Sequence, residues 1–276
     1  MNWRERDSGP APSATAGQSE ARAAFVGGGR AASSGGSRVA FLGGSFDPPH
    51  LGHLAVARAA RAALALDAVL FAPVGKQPLK PEGPAASFED RLAMTRLAIA
   101  GDPGFEVSLV DAPRPSAGSK TTPNYTPNYT IDALETLRAS LAPGCTLFCL
   151  MGADSFFGLR RWHRAVEIPF AAVLIVASRP GQPLDGLKDA LPPGLSLEPA
   201  PAADNSGSGV EVRAFSLSNE AGRRTAFYVL PDLDVEISAA EIRAQIEAAP
   251  GNAAAGRSLL PEAVCDYIAE HNLYRS

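Results

Sequence analysis

Short apolar runs alternate with longer amphipathic stretches along the chain from residue 38 onward. The apolar runs are nearly continuous, as is typical of buried parallel strands, and they occupy residues 39–42, 67–73, 105–110, 145–151, 171–177 and 226–230. Most of them are followed by a stretch long enough for a helix. This alternation predicts an α/β fold, a Rossmann-like doubly wound parallel sheet.

Helical periodicity marks a second set of segments, at residues 51–66, 87–100, 130–141, 238–248 and 261–272. Ser87 stands where an N-cap hydroxyl can accept a first-turn N–H group. Pro261 occupies an early position that favours a helix start. The pattern therefore predicts that two helices form the C-terminal part of the chain.

Two regions depart from the alternation. Residues 1–37 are dominated by Gly, Ala and Ser and contain too few large apolar groups to offset the entropy of ordering. We expect residues 1–37 to be a disordered extension and residues 38–276 to form one domain. Residues 181–224 are rich in Pro, Gly, Ser and Asp, and we expect a long, only partly ordered loop or insertion there.

Composition narrows the functional classes. The 25 Lys and Arg against 29 Asp and Glu give a net charge of -4, which argues against a broad nucleic-acid or membrane-binding face. Three cysteines without paired short spacing suit the reducing cytoplasm better than a disulfide framework. No apolar run approaches the roughly 18 residues of a membrane helix. Any anionic ligand must therefore be bound by a local site.

The string GGSFDPPHLGH lies between the first predicted strand and the first predicted helix. Gly43 and Gly44 remove side chains where the backbone leaves the sheet, and the new helix offers unpaired N–H groups and a positive dipole end. His50 and His53 are three residues apart, on one face of the first turn. The alternatives are a capping histidine beside a partly buried one, or two metal ligands, for which further ligands at recognisable spacing are lacking. The string predicts a phosphate-binding site.

The same string resembles the HxGH signature of the nucleotidyltransferase superfamily, and the rest of the chain narrows the resemblance to the bacterial nicotinate-nucleotide adenylyltransferases. The supporting motifs, in the family's order, are PVGKQPLK, SFEDRLAM, NYTIDALETL, GADSF, WH, ASRPG, EISAAEIR and LLPEAVCDYI to LYR. The resemblance covers about residues 38–276. It implies the nucleotidyltransferase fold and transfer of the adenylyl group of ATP to nicotinate mononucleotide, which forms deamido-NAD and pyrophosphate in NAD biosynthesis.

The resemblance also implies site residues. It assigns catalysis to His50, His53 and Arg243. It assigns ATP binding to Gly43, Gly44, Ser45, Phe46, His50, His53, Gly152, Asp154, Ser238 and Arg243. It assigns binding of the acceptor nucleotide to Lys80, Tyr129, Thr130, Asp132, Trp162 and Arg179. Mg²⁺ is implied as a cofactor held mainly by the ATP phosphates and water, with no metal site built by the protein.

Ordinary structural explanations stay open for several of these residues. Arg243 and Arg179 also suit solvated surface positions, Asp154 and Thr130 also suit helix N-caps, and Trp162 could pack rather than stack on a pyridine ring.

The sequence also departs from the family pattern. Leu79 stands for a His, Ala133 for a Thr, and Ala239 and Ala240 for two hydroxyl residues. Losing a hydrogen bond to a charged group weakens binding by roughly 1.5 to 3 kcal/mol, so we expect lower affinity rather than a lost reaction.

Four other functions compete with this interpretation. They are phosphopantetheine adenylyltransferase, nicotinamide mononucleotide adenylyltransferase, a non-catalytic nucleotide-binding relative and a tRNA-charging enzyme. Length and the WH motif count against the first, the intact histidines against the third, and the absence of a basic face against the fourth. The sequence leaves open the preference for acid or amide and whether the chain forms a homo-oligomer.

Overall fold

The computed structural model describes residues 36–79, 82–115, 125–178, 186–201, 209–231, 233, 237–248 and 257–275. The expectation for residues 1–37 therefore falls almost wholly outside the described residues. Lys80 and Arg179, both expected at the acceptor end of the site, also lie outside them.

The strands of the described chain are β1 (Arg38–Gly44), β2 (Ala68–Pro73), β3 (Phe105–Val107), β4 (Arg114–Pro115), β5 (Tyr125–Thr126), β6 (Thr146–Gly152), β7 (Val173–Ala177), β8 (Leu195–Pro199), β9 (Arg213–Asn219) and β10 (Arg224–Leu230). The main sheet has the order β3-β2-β1-β6-β7-β10-β9-β8. Neighbours from β3 to β10 are parallel, and β9 and β8 add antiparallel strands. The predicted doubly wound α/β fold is confirmed.

Helices cover both faces of this sheet. They are α1 (Leu51–Ala63), α2 (Phe88–Ile99), α3 (Thr130–Ser140), α4 (Ala153–Phe157), α5 (Ile168–Ala171), α6 (Leu187–Ala190), α7 (Ala239–Ala248) and α8 (Glu262–Glu270). One apolar core, the α1-side core, joins the sheet to α1, α2, α7 and α8. The other, the α3-side core, joins it to α3 through α6. No helix in the described ranges is long and apolar enough to cross a membrane.

Most element predictions agree with the structure to within a few residues, and Ser87 does cap α2 by accepting the N–H of Asp90 at 3.0 Å. Three positions differ. Thr130 is the first residue of α3 rather than its cap, which is Tyr129. Asp154 lies inside the first turn of α4, whose cap is Gly152. Pro261 is itself the N-cap residue of α8.

The segment expected to be a long loop or insertion contains regular structure in its described parts. Helix α6 and strands β8 and β9 occupy much of it, and β9 pairs with β10 and β8. The signal was weak because Leu197 is the sole buried residue of β8 and Leu217 of β9. Strand β8 at the edge of the sheet and β9 next to it need little apolar sequence, because their backbones pair with neighbouring strands.

The sheet reverses its strand order between β1 and β6. Strand β1 leads to α1 on one face, whereas β6 leads to α4, which packs on the other face. Ligands of such sheets bind in the crevice beyond the carboxyl ends of the strands at this reversal. The fold therefore places Gly43, Gly44 and Gly152 at the mouth of one crevice.

Candidate active site

A cavity of about 720 Å³ opens at this reversal point. All but one of the sequence-predicted site residues that the structure describes line it. They are Gly43, Gly44, Ser45, Phe46, Tyr129, Thr130, Gly152, Asp154, Trp162, Ser238, Arg243 and the two histidines, His50 and His53. Asp132 is not among the lining residues; its carboxylate lies 4.0 Å from Arg164 at the surface.

The glycines at the end of β1 are required by the aromatic rings beside them. A Cβ on Gly43 would lie 2.7 Å from the ring of Phe41, and one on Gly44 would lie 3.3 Å from the ring of Phe46. Phe46 itself adopts a positive φ of 48°, which turns its ring into the core, where it is 1% exposed. A side chain at Gly43 or Gly44 would therefore crowd one of these rings.

The two histidines form a stacked pair at the start of α1. Their ring centroids are 3.7 Å apart with an interplanar angle of 26°, and Phe46 packs edge-on against His53 at 4.9 Å. His50 is the N-cap residue and is 6% exposed. The pair is therefore packed between Phe46 of the loop after β1 and the first turn of the helix.

One hydrogen bond fixes the proton on His53. The backbone N–H of His50 donates to Nδ1 of His53 at 3.2 Å, so Nδ1 is an acceptor. Burial, and then the charge of His50, lower the pKa of His53 well below its usual value, which keeps the ring neutral. The neutral ring carries its one proton on Nε2. His53 can therefore donate a hydrogen bond but cannot supply a full positive charge.

Asp47 is a buried acceptor behind the histidine loop, with 3% of its surface exposed. Its carboxylate accepts the N–H of Ala85 at 2.7 Å, the N–H of Ala86 at 3.1 Å and the hydroxyl of Tyr274 at 2.8 Å. Its main-chain carbonyl accepts Nη1 of Arg243 at 2.6 Å. Asp47 therefore connects the loop to three distant parts of the chain.

Arg91 of α2 supports the same loop from within the core. Its guanidinium is almost fully buried and donates to the carbonyl of Ser45 at 2.6 Å and to that of Val74 at 2.9 Å. Ser45 in turn donates its hydroxyl to Gln77 at 3.0 Å. These contacts bind the ends of β1 and β2 together and fix the floor of the cavity.

The opposite wall comes from the ends of β6 and α3. Trp162 is half-buried, packs against the α3-side core and lines the cavity. Tyr129 packs its ring against that of His163, with centroids 4.3 Å apart. Asn128 joins the loops around them by donating to the carbonyls of Asp111 and Ala112 and accepting the N–H of Lys76.

Asp111 is a second buried carboxyl group that lines the cavity. It is 4% exposed, and its Oδ1 atom has no hydrogen-bond donor among the described residues. Burial raises the pKa of Asp111 to about 6, against the opposing effect of Asn128. Asp111 therefore lies in an environment that disfavours its charged form.

The sequence interpretation assigned no role to Asp47, Arg91, Asp111, Asn128 or Tyr274. Four of them belong to the motifs or flanking strings already singled out, since Asp47 lies in GGSFDPPHLGH, Arg91 in SFEDRLAM, Asn128 in NYTIDALETL and Tyr274 in LYR. That membership was the available signal. Asp111 follows the third predicted strand and carried no motif.

The family departures fall in two different places. Ala133 is fully buried in the α3-side core and does not line the cavity. A threonine hydroxyl at this position would therefore lie among packed side chains. Ala239 and Ala240 do line the cavity, at the start of α7. Leu79 lines it too and is 46% exposed.

Within the described ranges, no three His, Cys, Asp or Glu side chains are grouped to hold a metal ion. The oxygen-rich ligands that Mg²⁺ prefers are carboxylates, carbonyls, water and phosphates. The donors of this cavity, histidine and arginine N–H groups, fit phosphate oxygens rather than a cation.

The sequence of this chain is similar to a known protein family and to individual proteins. The cytidylyltransferase-like family model matches residues 41–245. A protein of Stenotrophomonas maltophilia described as "Probable nicotinate-nucleotide adenylyltransferase" is 41% identical over 84% of this chain and 94% of its own length. One of Gloeobacter violaceus with the same description is 35% identical over 83% and 92%.

Solved structures show the same fold. The nicotinic acid mononucleotide adenylyltransferase of Plasmodium falciparum complexed with NaAD superposes with a TM-score of 0.59, covering 86% of this chain and 97% of that one at 16% identity. The same enzyme complexed with APC gives a TM-score of 0.55 over 86% and 97%.

Proposed function

This chain belongs to the nicotinate-nucleotide adenylyltransferases within the cytidylyltransferase-like family, and from that premise we propose how its side chains divide the reaction. The enzyme transfers the adenylyl group of ATP to nicotinate mononucleotide, producing deamido-NAD and pyrophosphate in NAD biosynthesis. The observation that carries the assignment of roles is the stacked pair of His50 and the neutral His53, which lines the same cavity as Arg243.

The acceptor supplies its own nucleophile. The 5′-phosphate of nicotinate mononucleotide carries an oxyanion that attacks the α-phosphorus of ATP while the bond to pyrophosphate breaks. No protein nucleophile or general base is needed. Catalysis then depends on alignment of the two phosphates and on donors that stabilise negative charge in the transition state.

His50 and His53 are the donors we place at the reacting phosphates. The Nε2–H of His53 is the sole ring proton left for a ligand once Nδ1 accepts the N–H of His50. Because the ring is neutral, this donor stabilises the charge that develops without losing a proton to the phosphate. Gly43 and Gly44 let the α-phosphate approach the loop.

Arg243 and the start of α7 bind the leaving end of ATP in this proposal. The guanidinium uses Nη1 on the carbonyl of Asp47, and its remaining N–H groups can meet the β- and γ-phosphates. Ser238, whose carbonyl accepts the first-turn N–H of Ile242, adds a hydroxyl beside them. Gly152 and Asp154 at the end of β6 are assigned to the ATP ribose.

The acceptor nucleotide is placed against the Trp162 wall. A flat indole face in the cavity suits a pyridine ring, and Tyr129 and Thr130 offer hydroxyls beside it. Lys80 and Arg179 remain proposed phosphate or carboxylate contacts outside the described residues.

We propose that Mg²⁺ is bound mainly by the ATP phosphates and water. The donor chemistry of the cavity supports this division, since its side chains offer N–H groups to oxygen and the nucleotide offers oxygen to the metal. When bound, the ion neutralises charge on the triphosphate. The three free thiols, Cys145, Cys149 and Cys265, support a cytoplasmic location.

The test is pyrophosphate release from ATP and Mg²⁺ with three acceptors in parallel: nicotinate mononucleotide, nicotinamide mononucleotide and phosphopantetheine. We expect release with nicotinate mononucleotide, and a larger kcat/KM for it than for the amide. Release with phosphopantetheine alone, or with none of the three, would contradict the proposed site assignment.

A further inference from the structure

Tyr274, near the C-terminal end of the chain, lies against the loop that carries the histidines. Its hydroxyl donates to Oδ1 of Asp47 at 2.8 Å, although the two residues are 227 positions apart. Asn272 and Tyr274 adopt positive φ values of 51° and 60°, which turn the chain back after α8. A tyrosine seldom adopts this conformation, so tertiary contacts must hold it there.

The acceptor capacity of the Asp47 carboxylate is almost filled by these contacts. Oδ2 accepts the N–H of Ala85, and Oδ1 accepts both the N–H of Ala86 and the hydroxyl of Tyr274. Burial, and then the charge of Asp47, raise the pKa of Tyr274 above its usual value. The tyrosine therefore stays protonated and remains a donor.

Arg243 lies close to this carboxylate without forming a short ion pair with it. Its Nη1 donates to the main-chain carbonyl of Asp47 at 2.6 Å but stays 3.7 Å from Oδ2. The side chain of Arg243 is 32% exposed, whereas that of Asp47 is 4% exposed. A buried carboxylate that lost one of its donors would attract a nearby cation. Among the described residues, Arg91 also interacts with the charge of Asp47, but its guanidinium already donates to the carbonyls of Ser45 and Val74. Arg243, at 3.7 Å from Oδ2, is the cation that can move closer.

We propose that Tyr274 is a positioning residue for ATP binding: by occupying Asp47, its hydroxyl prevents Arg243 from closing onto that carboxylate and keeps the guanidinium available for the triphosphate. The inference rests on the proposed role of Arg243 in ATP binding. It gives the C-terminal turn a function in substrate affinity in addition to its packing against the α1-side core.

The experiment compares Tyr274→Phe with Tyr267→Phe in the full chain. Both substitutions remove one tyrosine hydroxyl bonded to an aspartate, but Tyr267 of α8 donates to Asp90 at 3.0 Å, away from the cavity. We expect Tyr274→Phe to raise the KM for ATP about three- to tenfold, with the KM for nicotinate mononucleotide and kcat changed less than about twofold. Tyr267→Phe should change none of the three.

A second comparison introduces Tyr274→Phe into a variant whose Asp47 charge has been removed. In an Asp47→Asn background, Tyr274→Phe should raise the KM for ATP no further, because the charge that would draw Arg243 away is already gone. Circular dichroism and melting temperature establish that each variant is folded. A structural role alone would lower the melting temperature and raise both KM values together, and that result would overturn the proposal.

Arg243→Ala separates failure of this inference from failure of its premise. If Arg243→Ala raises the KM for ATP and Tyr274→Phe does not, Tyr274 has no positioning role and Arg243 keeps its own. If Arg243→Ala also leaves the KM for ATP unchanged, both assignments are wrong.

Discussion

At the residue scale, the site depends on how individual protons and charges are fixed. His53 is neutral because it is buried beside His50, and its proton is directed to Nε2 because Nδ1 accepts a backbone N–H. His50 and His53 therefore act as a unit. The neutrality of His53 and the position of its proton both depend on His50.

His50→Ala tests this unit. We expect kcat to fall about 10²- to 10³-fold, because a donor at the transition state is lost and His53 loses its stacking partner. The measurement is steady-state pyrophosphate release, with the melting temperature as the check on folding. His271→Ala, at an exposed position on the turn after α8, is the control and should keep full turnover. Turnover within twofold of the parent after His50→Ala would remove its catalytic role.

Asp111 makes a separate prediction about stability and pH. Its pKa is raised to about 6 in the folded protein, so the folded state holds this proton more tightly than the unfolded state does. Its contribution is therefore most favourable at low pH and is lost as pH rises through about 6, at a cost of about 3 kcal/mol at most. Asp111→Asn removes the buried charge and should stabilise the protein at pH 8.

Urea unfolding at two pH values measures this effect. We expect Asp111→Asn to raise the free energy of unfolding by about 1 to 3 kcal/mol at pH 8 and by about a third of that at pH 4.5. Asp189→Asn, at an exposed position on α6, is the matched control. A gain that is equal at the two pH values would show that the charge of Asp111 is not its source.

At the element scale, the first turn of α7 departs from the motif that the sequence resembles. Ala239 and Ala240 line the cavity beside Ser238, and the motif that this segment of the sequence resembles has hydroxyl residues at both positions. The first turn of a helix is also where an added hydroxyl can reach a bound phosphate together with backbone N–H groups.

Restoring the hydroxyls should therefore strengthen ATP binding. We expect Ala239→Ser with Ala240→Thr to lower the KM for ATP about three- to tenfold, through new hydrogen bonds to a charged group. Steady-state kinetics at saturating acceptor give the value. Ala244→Thr adds a hydroxyl to the exposed face of the same helix and should leave the KM unchanged. An equal effect of both changes would point to helix stability rather than phosphate contact.

At the scale of the whole molecule, an enzyme with net charge -4 binds two polyanionic nucleotides. In the described cavity, a few local groups rather than a basic surface are available to bind the anionic phosphates. They are His50, His53, Arg243 and the starts of α1 and α7. Long-range attraction of the substrates contributes little in such a protein, and local donors carry the affinity.

The described domain predicts the effect of shortening the chain. Removing residues 1–35 should leave kcat and both KM values unchanged, because every described cavity residue lies beyond them. Extending the deletion through Ser37 takes away the carbonyl that accepts the N–H of Thr146 at 2.8 Å and should lower the melting temperature. A large loss of activity in the shorter deletion would show that residues 1–35 contribute to the site.

The sequence by itself determined the fold class, the main strands and helices, and the loop from Gly43 to His53 that lines the cavity. Each of these follows from local properties: the periodicity of apolar residues, glycine at a tight exit from a strand, and histidines one turn apart. Strands β8 and β9 escaped prediction because backbone pairing, rather than their own apolar pattern, holds them in the sheet.

Tertiary structure alone decided how the site is held together. Tyr274 reaches Asp47 across 227 positions, and Arg243 reaches it across 196. The burial that shifts the pKa values of His53 and Asp111 likewise comes from neighbours on several elements. Hydrogen bonds and burial between distant segments depend on how packed elements meet, and no local pattern in a single sequence encodes that meeting.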